Sequence, residues 1–137
     1  MGFHTSHDWR RIKLNKIIDT DLFICLCCNR TRYEWMQFHH IEYPEDIKDT
    51  TSEQLVILCF ECHKLIHCLK QMRAVDSVNV NDPIVLDKMR GTIIHLGLPI
   101  YELTDKRINK AKENKEKIVN RLQLELSRAR KSKKVLD

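Results

Sequence analysis

Cys25 and Cys28 are separated by two residues, as are Cys59 and Cys62, and 30 residues lie between the two pairs. Each C-x-x-C turns two thiolates toward one cation at ~2.3 Å, and two such knuckles complete a tetrahedral four-sulfur site. A zinc ion held this way contributes directly to folding, which suits a chain whose core is otherwise thin. Residues 1–11 are polar and basic with no apolar stretch behind them, so no secretory signal is expected and the chain is read as cytoplasmic. Reduced thiols in paired spacing are then metal ligands before they are disulfides. Buried free thiols are the alternative, and two matched pairs weigh against it. Cys27 competes with Cys28 in the first knuckle, and Cys68 is expected to be a packed thiol. A site closed on four sulfurs leaves no position for water or substrate, so any chemistry must rest elsewhere.

Histidines supply the second constellation. Four of the seven fall in residues 39–67. His63 and His67 are spaced i, i+4 on an expected helix, so their rings share a face and can chelate one cation. His39 and His40 are neighbours at the end of an expected strand and point in opposite directions. Only one of them can join the helical pair, and the other is left to act on water. Phosphodiester hydrolysis uses this division: a divalent metal polarises the phosphate while a neutral imidazole takes a proton from the attacking water. Imidazole suits the second task because its ordinary pKa lies near ~6.5. His4, His7 and His95 are read as surface or core residues.

The rest of the chain frames these clusters. Trp9, Ile12, Ile17 and Ile18 among basic residues predict a helix over 3–21, and 22–29 reads as a short apolar knuckle. Aromatic enrichment predicts a strand over 32–42, followed by a polar loop over 44–53 and a partner strand over 55–58. Helical spacing begins at Cys59. Asp82 and Pro83 are an N-cap and first-turn pair for a helix over 83–96, with Gly97 and Pro99 as stops. Thr104 caps a last, long helix to about residue 130, its apolar stripe of Ile108, Ala111, Ile118, Leu122 and Ala129 interrupted by Lys115 and Glu125. The fold class expected is α+β: a small hairpin–helix core with flanking helices and a long basic C-terminal helix. Residues 1–70 form the metal-bearing module and 71–137 a helical extension.

Of the 137 residues, 42% are hydrophobic and 31% charged, which fits neither a disordered chain nor a membrane protein. Net charge is +5, yet residues 104–137 carry 12 Lys and Arg against 5 Asp and Glu. A basic tail, with its block of Arg128, Arg130, Lys131, Lys133 and Lys134, suits the phosphates of a nucleic acid or an acidic partner protein. It is also compatible with a solvated helix face.

The segments C25-L-C-C28, F38-H-H-I41 and L55-V-I-L-C-F-E-C-H-K-L-I-H67 together resemble the HNH endonucleases, members of the ββα-metal (His-Me finger) nucleases. The resemblance covers about residues 23–68. It implies a β-hairpin packed on a helix, with His39, His63 and His67 binding a catalytic Mg²⁺ or Mn²⁺ and His40 as general base. It further implies Cys25, Cys28, Cys59 and Cys62 as structural zinc ligands, and DNA cleavage leaving a 5′-phosphate and a 3′-hydroxyl. The family's loop-orienting Asn is replaced by Gln54, which offers the same amide one methylene further out. Apart from the resemblance, Arg30, Arg32 and Lys64 near the site are candidate phosphate contacts, with ordinary solvated surface charge as the alternative for each. Two alternatives stand beside the nuclease: a non-catalytic zinc-knuckle module binding nucleic acid or protein, favoured by Gln54, and the cutting subunit of a larger complex docked through 83–137.

Overall fold

A computed structural model of the chain describes the backbone of residues 7–136 and the side chains of residues 7–128. His4 and the tail residues Arg130, Lys131, Lys133 and Lys134 lie outside the side chains described. Six elements carry the fold: α1 (His7–Ile18), β1 (Met36–His40), β2 (Leu55–Cys59), α2 (Phe60–Gln71), α3 (Pro83–His95) and α4 (Asp105–Leu136). The architecture is the small α+β fold expected, ending in a long helix.

A single antiparallel hairpin lies at the centre, with Met36 opposite Cys59, His39 opposite Val56 and His40 opposite Leu55. Every residue of β2 is buried, because the ribbon is covered on both sides; an unbroken Leu-Val-Ile-Leu run is what such a strand requires. On one side, Leu55 and Ile57 meet α1 and α4 through Trp9, Ile12, Ile17, Ile118 and Leu122. On the other, Val56 and Leu58 pack with the cysteines, Ile66 and Leu69 of α2, and Val85, Met89 and Ile93 of α3. That second cluster also takes in Val75 and Val80, so the packing is continuous across residue 70, where the sequence suggested a division.

Helix ends follow the residues that can satisfy them. Asp82 accepts a hydrogen bond from the Ile84 amide at 2.9 Å, with Pro83 in the first turn. Thr104 Oγ1 accepts from the Arg107 amide at 3.3 Å. Gly97, at φ 73°, lets the chain turn out of α3. Along α4 the buried stripe runs Ala111, Asn114, Ile118, Leu122 and Leu126. Lys115 is half-buried at its edge, its Nζ donating to the Ile18 carbonyl at 3.4 Å; Glu125 pairs with Arg10 at 3.3 Å and Arg121 at 3.7 Å. Neither residue breaks the seam, because each leaves it sideways toward a partner.

Two differences from the sequence reading matter for the site. The leading helix stops at Ile18, where Thr20 Oγ1 donates back to the Lys16 carbonyl at 2.7 Å. The expected strand over 32–42 is shorter: Tyr33–Trp35 is a 3₁₀ turn closed by the Trp35 amide on the Arg32 carbonyl, and only Met36–His40 is strand. Trp35 leaves the sheet because its ring is captured by arginines and by Phe60.

Candidate metal centres

The two knuckles meet. Cys25, Cys28, Cys59 and Cys62 are all buried, and their sulfurs lie within 4.8 Å of one another. The Cys28 and Cys59 sulfurs are 3.7 Å apart. Sulfurs at ~2.3 Å from a shared tetrahedral cation would be separated by ~3.8 Å, so the donor set fits a metal ion such as zinc. Hydrogen bonding to Cys25 and its neighbours pushes the Cys28 and Cys62 thiols up, and the same sharing holds Cys59 down. Four buried sulfurs so close cannot all carry charge alone; a divalent cation resolves that conflict. Cys28, not Cys27, completes the set, while Cys27 is buried in the surrounding core. Cys68 is exposed, its thiol 3.7 Å from the Met72 sulfur, so the packed thiol expected there lies instead at the surface.

The knuckle is held by backbone. The Leu26 amide donates to Ile57 of β2 at 2.9 Å, and the Tyr101 amide to the Cys28 carbonyl at 2.8 Å. Arg90 of α3 donates to the Cys27 carbonyl at 3.1 Å and the Leu26 carbonyl at 3.2 Å. Asn29 sits at φ 64°, a conformation Asn tolerates better than most residues. These groups satisfy a loop whose own backbone makes no regular ladder.

One turn along α2, a second cluster opens. His39, His63 and His67 place ring nitrogens within 4.8 Å of one another, with ring centroids 4.9–5.1 Å apart. His39 is the buried floor, His63 is half-buried and His67 is exposed. The His63 and His67 Nε2 atoms are 3.2 Å apart, close to the ~3.3 Å expected of two nitrogens each ~2.0–2.1 Å from one tetrahedral cation.

Outer contacts set the protons on two rings of this trio. His39 Nε2 donates to the Val78 carbonyl at 2.9 Å; a carbonyl only accepts, so the His39 lone pair is on Nδ1. His63 Nδ1 donates to Gln37 Oε1, which puts its lone pair on Nε2. Burial lowers the His39 pKa to about 4 and lowers that of His63 as well. Both rings are therefore neutral near pH 7, the form in which imidazole binds metal.

His40 is not in this cluster. It lies on the opposite side of the hairpin, 6% exposed, its ring stacked on Tyr43 at 4.4 Å and on Trp9 at 5.8 Å. Thr50 Oγ1 donates to the Ile47 carbonyl at 2.6 Å and therefore accepts from His40 Nε2 at 3.1 Å. That puts a proton on His40 Nε2. Gln54 closes the last turn of the hairpin loop: its Oε1 accepts from the Thr51 amide at 2.9 Å, and its carbonyl takes the Ile41 amide at 2.9 Å. Gln54 thus holds the loop, while Thr50 hydrogen-bonds the His40 ring.

The expected phosphate contacts divide. Arg30 is paired with Glu61 at 2.9 Å and lies over Trp35. Arg32 is exposed and only 3.9 Å from Glu34 at its nearest. Lys64 is exposed and makes no ion pair among the described residues.

Sequence reasoning missed Gln37, Val78, Thr50 and Arg90. Gln37 was within reach, since it stands two residues before His39 and alternation puts both on one side of the strand. No family model, curated protein or solved structure matches this chain. Among the described residues, no helix is long and apolar enough to cross a membrane.

Proposed function

We propose that the protein is a metal-dependent endonuclease of HNH type that hydrolyses phosphodiester bonds in DNA, with zinc in the four-cysteine site. The supporting observation is the gathering of the His39, His63 and His67 nitrogens within 4.8 Å, on a strand and helix whose near ends are tied together by the thiol cluster. His39, His63 and His67 would hold Mg²⁺ or Mn²⁺, which supplies polarisation of the scissile phosphate and stabilisation of the leaving 3′-oxygen. Three protein donors leave room in a coordination shell for substrate, whereas four sulfurs leave none. Gln37 and the Val78 carbonyl keep two of the imidazoles turned with their lone pairs inward.

His40 is the proposed general base, and Thr50 prepares it by fixing the proton on Nε2. The ring stands at the last residue of β1, where the chain turns into the hairpin loop. Tyr43, 64% exposed, covers one of its faces, so on this reading that ring must move for water and the strand to be cut to reach His40. Hydrolysis on these lines leaves a 5′-phosphate and a 3′-hydroxyl.

Purified protein should nick plasmid DNA when Mg²⁺ or Mn²⁺ is added, and His67→Ala should abolish nicking while zinc stays bound. His40→Gln, which keeps a neutral polar side chain against Thr50, should lose cutting by ~10²-fold or more. Wild-type rates in His40→Gln would remove His40 from the mechanism.

One observation favours a second reading: His40 is packed between two rings on the side of the hairpin away from the trio. On that reading the protein is a non-catalytic zinc-knuckle module that binds nucleic acid, or a partner through its C-terminal helix. DNA binding without cleavage under any divalent metal would establish it.

A further inference from the structure

Beside the cysteine knuckle, three arginines converge on two aromatic rings. The Arg30 guanidinium lies 4.7 Å from the Trp35 centroid and 5.9 Å from that of Tyr101, Arg32 lies 4.4 Å from Trp35, and Arg107 lies 4.7 Å from Tyr101. With Thr31, these side chains line one surface cavity of ≈ 350 Å³. A cation–π pair occurs about once in 70–80 residues, so four pairs around one cavity are more than scattered surface stacking.

The charges in this cluster are unevenly answered. Arg30 has Glu61 at 2.9 Å. Arg32 has only exposed Glu34 at 3.9 Å. Arg107 donates to the Glu102 main-chain carbonyl at 2.8 Å, and among the described residues no carboxylate pairs with it. With one guanidinium only loosely paired and one without a carboxylate partner among the described residues, an anion entering the cavity would be attracted by both. Their planes already lie on rings, so less side-chain freedom is lost when the anion binds. An adjoining cavity shares Thr31 and Arg107 and adds Lys106, with Lys110 there paired to Glu113 at 3.7 Å, so beyond Arg107 the positive surface continues along α4 through Lys106.

Position connects the cluster to the histidines. Trp35 contacts Phe60 at 4.9 Å between centroids, Gln37 bonds His63, and the His39 and His67 rings lie 5.1 Å apart. These are successive rungs of one seam between the β1 segment and α2. From Trp35 to His39 is four residues, or ~13 Å of extended chain, a reach of a few nucleotides.

We propose that Arg32, Arg107, Trp35 and Tyr101 grip a single-stranded stretch of DNA, taking phosphates on the guanidiniums and bases on the ring–guanidinium planes. Bases in a duplex have their faces covered by their neighbours and offer no surface to such planes, whereas every unpaired base does. The direction of the strand, toward the three histidines, rests on the nuclease reading; the grip itself does not.

The test is fluorescence anisotropy of the full chain with a labelled oligodeoxythymidylate of about 16 nucleotides, against a duplex of equal length, with no Mg²⁺ or Mn²⁺ added. The single strand should bind at least tenfold tighter than the duplex and quench tryptophan emission. Arg32→Gln/Arg107→Gln, both at the surface, should weaken single-strand binding by tenfold or more. The pair should also flatten the log–log salt slope by ~1.4, since each phosphate contact on a single strand contributes ~0.7. Trp35→Leu should abolish the quench, and His67→Ala should bind as wild type does. Duplex bound as tightly as single strand, or a double variant with unchanged affinity and slope, overturns the proposal. Cleavage lost in His67→Ala with this binding intact bears on the nuclease alone, so the two readings fail separately.

Discussion

At the scale of single residues, the three-histidine cluster depends on imidazoles kept neutral by where they sit. His39 is 1% exposed and its pKa is lowered to about 4, chiefly because burial disfavours the charged ring. In the unfolded chain the same side chain titrates near ~6.5. Between those values the unfolded chain binds a proton that the folded one refuses, so stability rises with pH through this window. The contribution is fully present above ~6.5 and is lost as pH falls toward 4. With no Mg²⁺ or Mn²⁺ present, His39→Gln should therefore lose less stability on going from pH 7.5 to 5 than the wild type does. The expected gap is ~2 kcal/mol, read from urea denaturation at both pH values. Comparing variant with wild type cancels the acid sensitivity of the thiol cluster, which both share. An equal loss in the two proteins would show that His39 is not held neutral by the fold.

The knuckle formed by residues 25–30 is an element of a different kind, without helix or strand, defined by what surrounds it. Its sulfurs face inward, and its carbonyls are taken by Arg90 and by the Tyr101 amide. Spacing alone left Cys27 and Cys28 in competition, and the fold ranks them: Cys28 is one of the four mutually close sulfurs, 3.7 Å from that of Cys59, while Cys27 is buried beside the set with its thiol hydrogen-bonded to that of Cys62. Cys28→Ser should release the bound metal and lower the midpoint of thermal unfolding sharply. Cys27→Ala should keep a full complement of metal, measured by a chromogenic thiol-release titration, and lose only the ~1–2 kcal/mol of a small core truncation. Metal loss in both variants would mean that the two thiols exchange as ligands. This element also shows how far the sequence could be read. The hairpin and α2 were legible because Phe38 to His67 carries its ligands at strand and helix spacing on adjacent segments. Arg90, Val78 and Tyr101 were not, because each acts from a distant segment and two of the three act through main-chain atoms that no side-chain pattern records. Trp35 was misread as strand because aromatic enrichment signals burial on one side of a sheet. It cannot reveal that two arginines and Phe60 would draw the ring out of it.

Across the whole molecule, the two clusters share their supports. Helix α2 carries Cys62 one residue before His63, and the hairpin carries Cys59 opposite Met36 with His39 three residues further along β1. The thiol cluster therefore fixes the near end of the seam, and the histidines come together further along it. The packing is asymmetric, however. The cysteines are buried in the larger core with α3, while His63 is half-buried and His67 exposed, so the sulfur end does not need the histidine end. Coupling between them should be correspondingly one-sided in its mutational effects. His67→Ala should retain zinc and a wild-type circular dichroism spectrum while losing Mn²⁺ binding measured by electron paramagnetic resonance. Cys62→Ser should lose zinc and also weaken Mn²⁺ binding by about tenfold or more, a loss of ~1.4 kcal/mol at a site whose ligands it does not touch. The thermodynamic linkage between two bound metals is reciprocal in the intact chain. The two mutations differ because one removes a support of the fold and the other removes a ligand at its surface. Undiminished Mn²⁺ affinity in a folded, zinc-free Cys62→Ser protein would mean that α1, α4 and the hairpin hold the seam in register without the sulfur cluster.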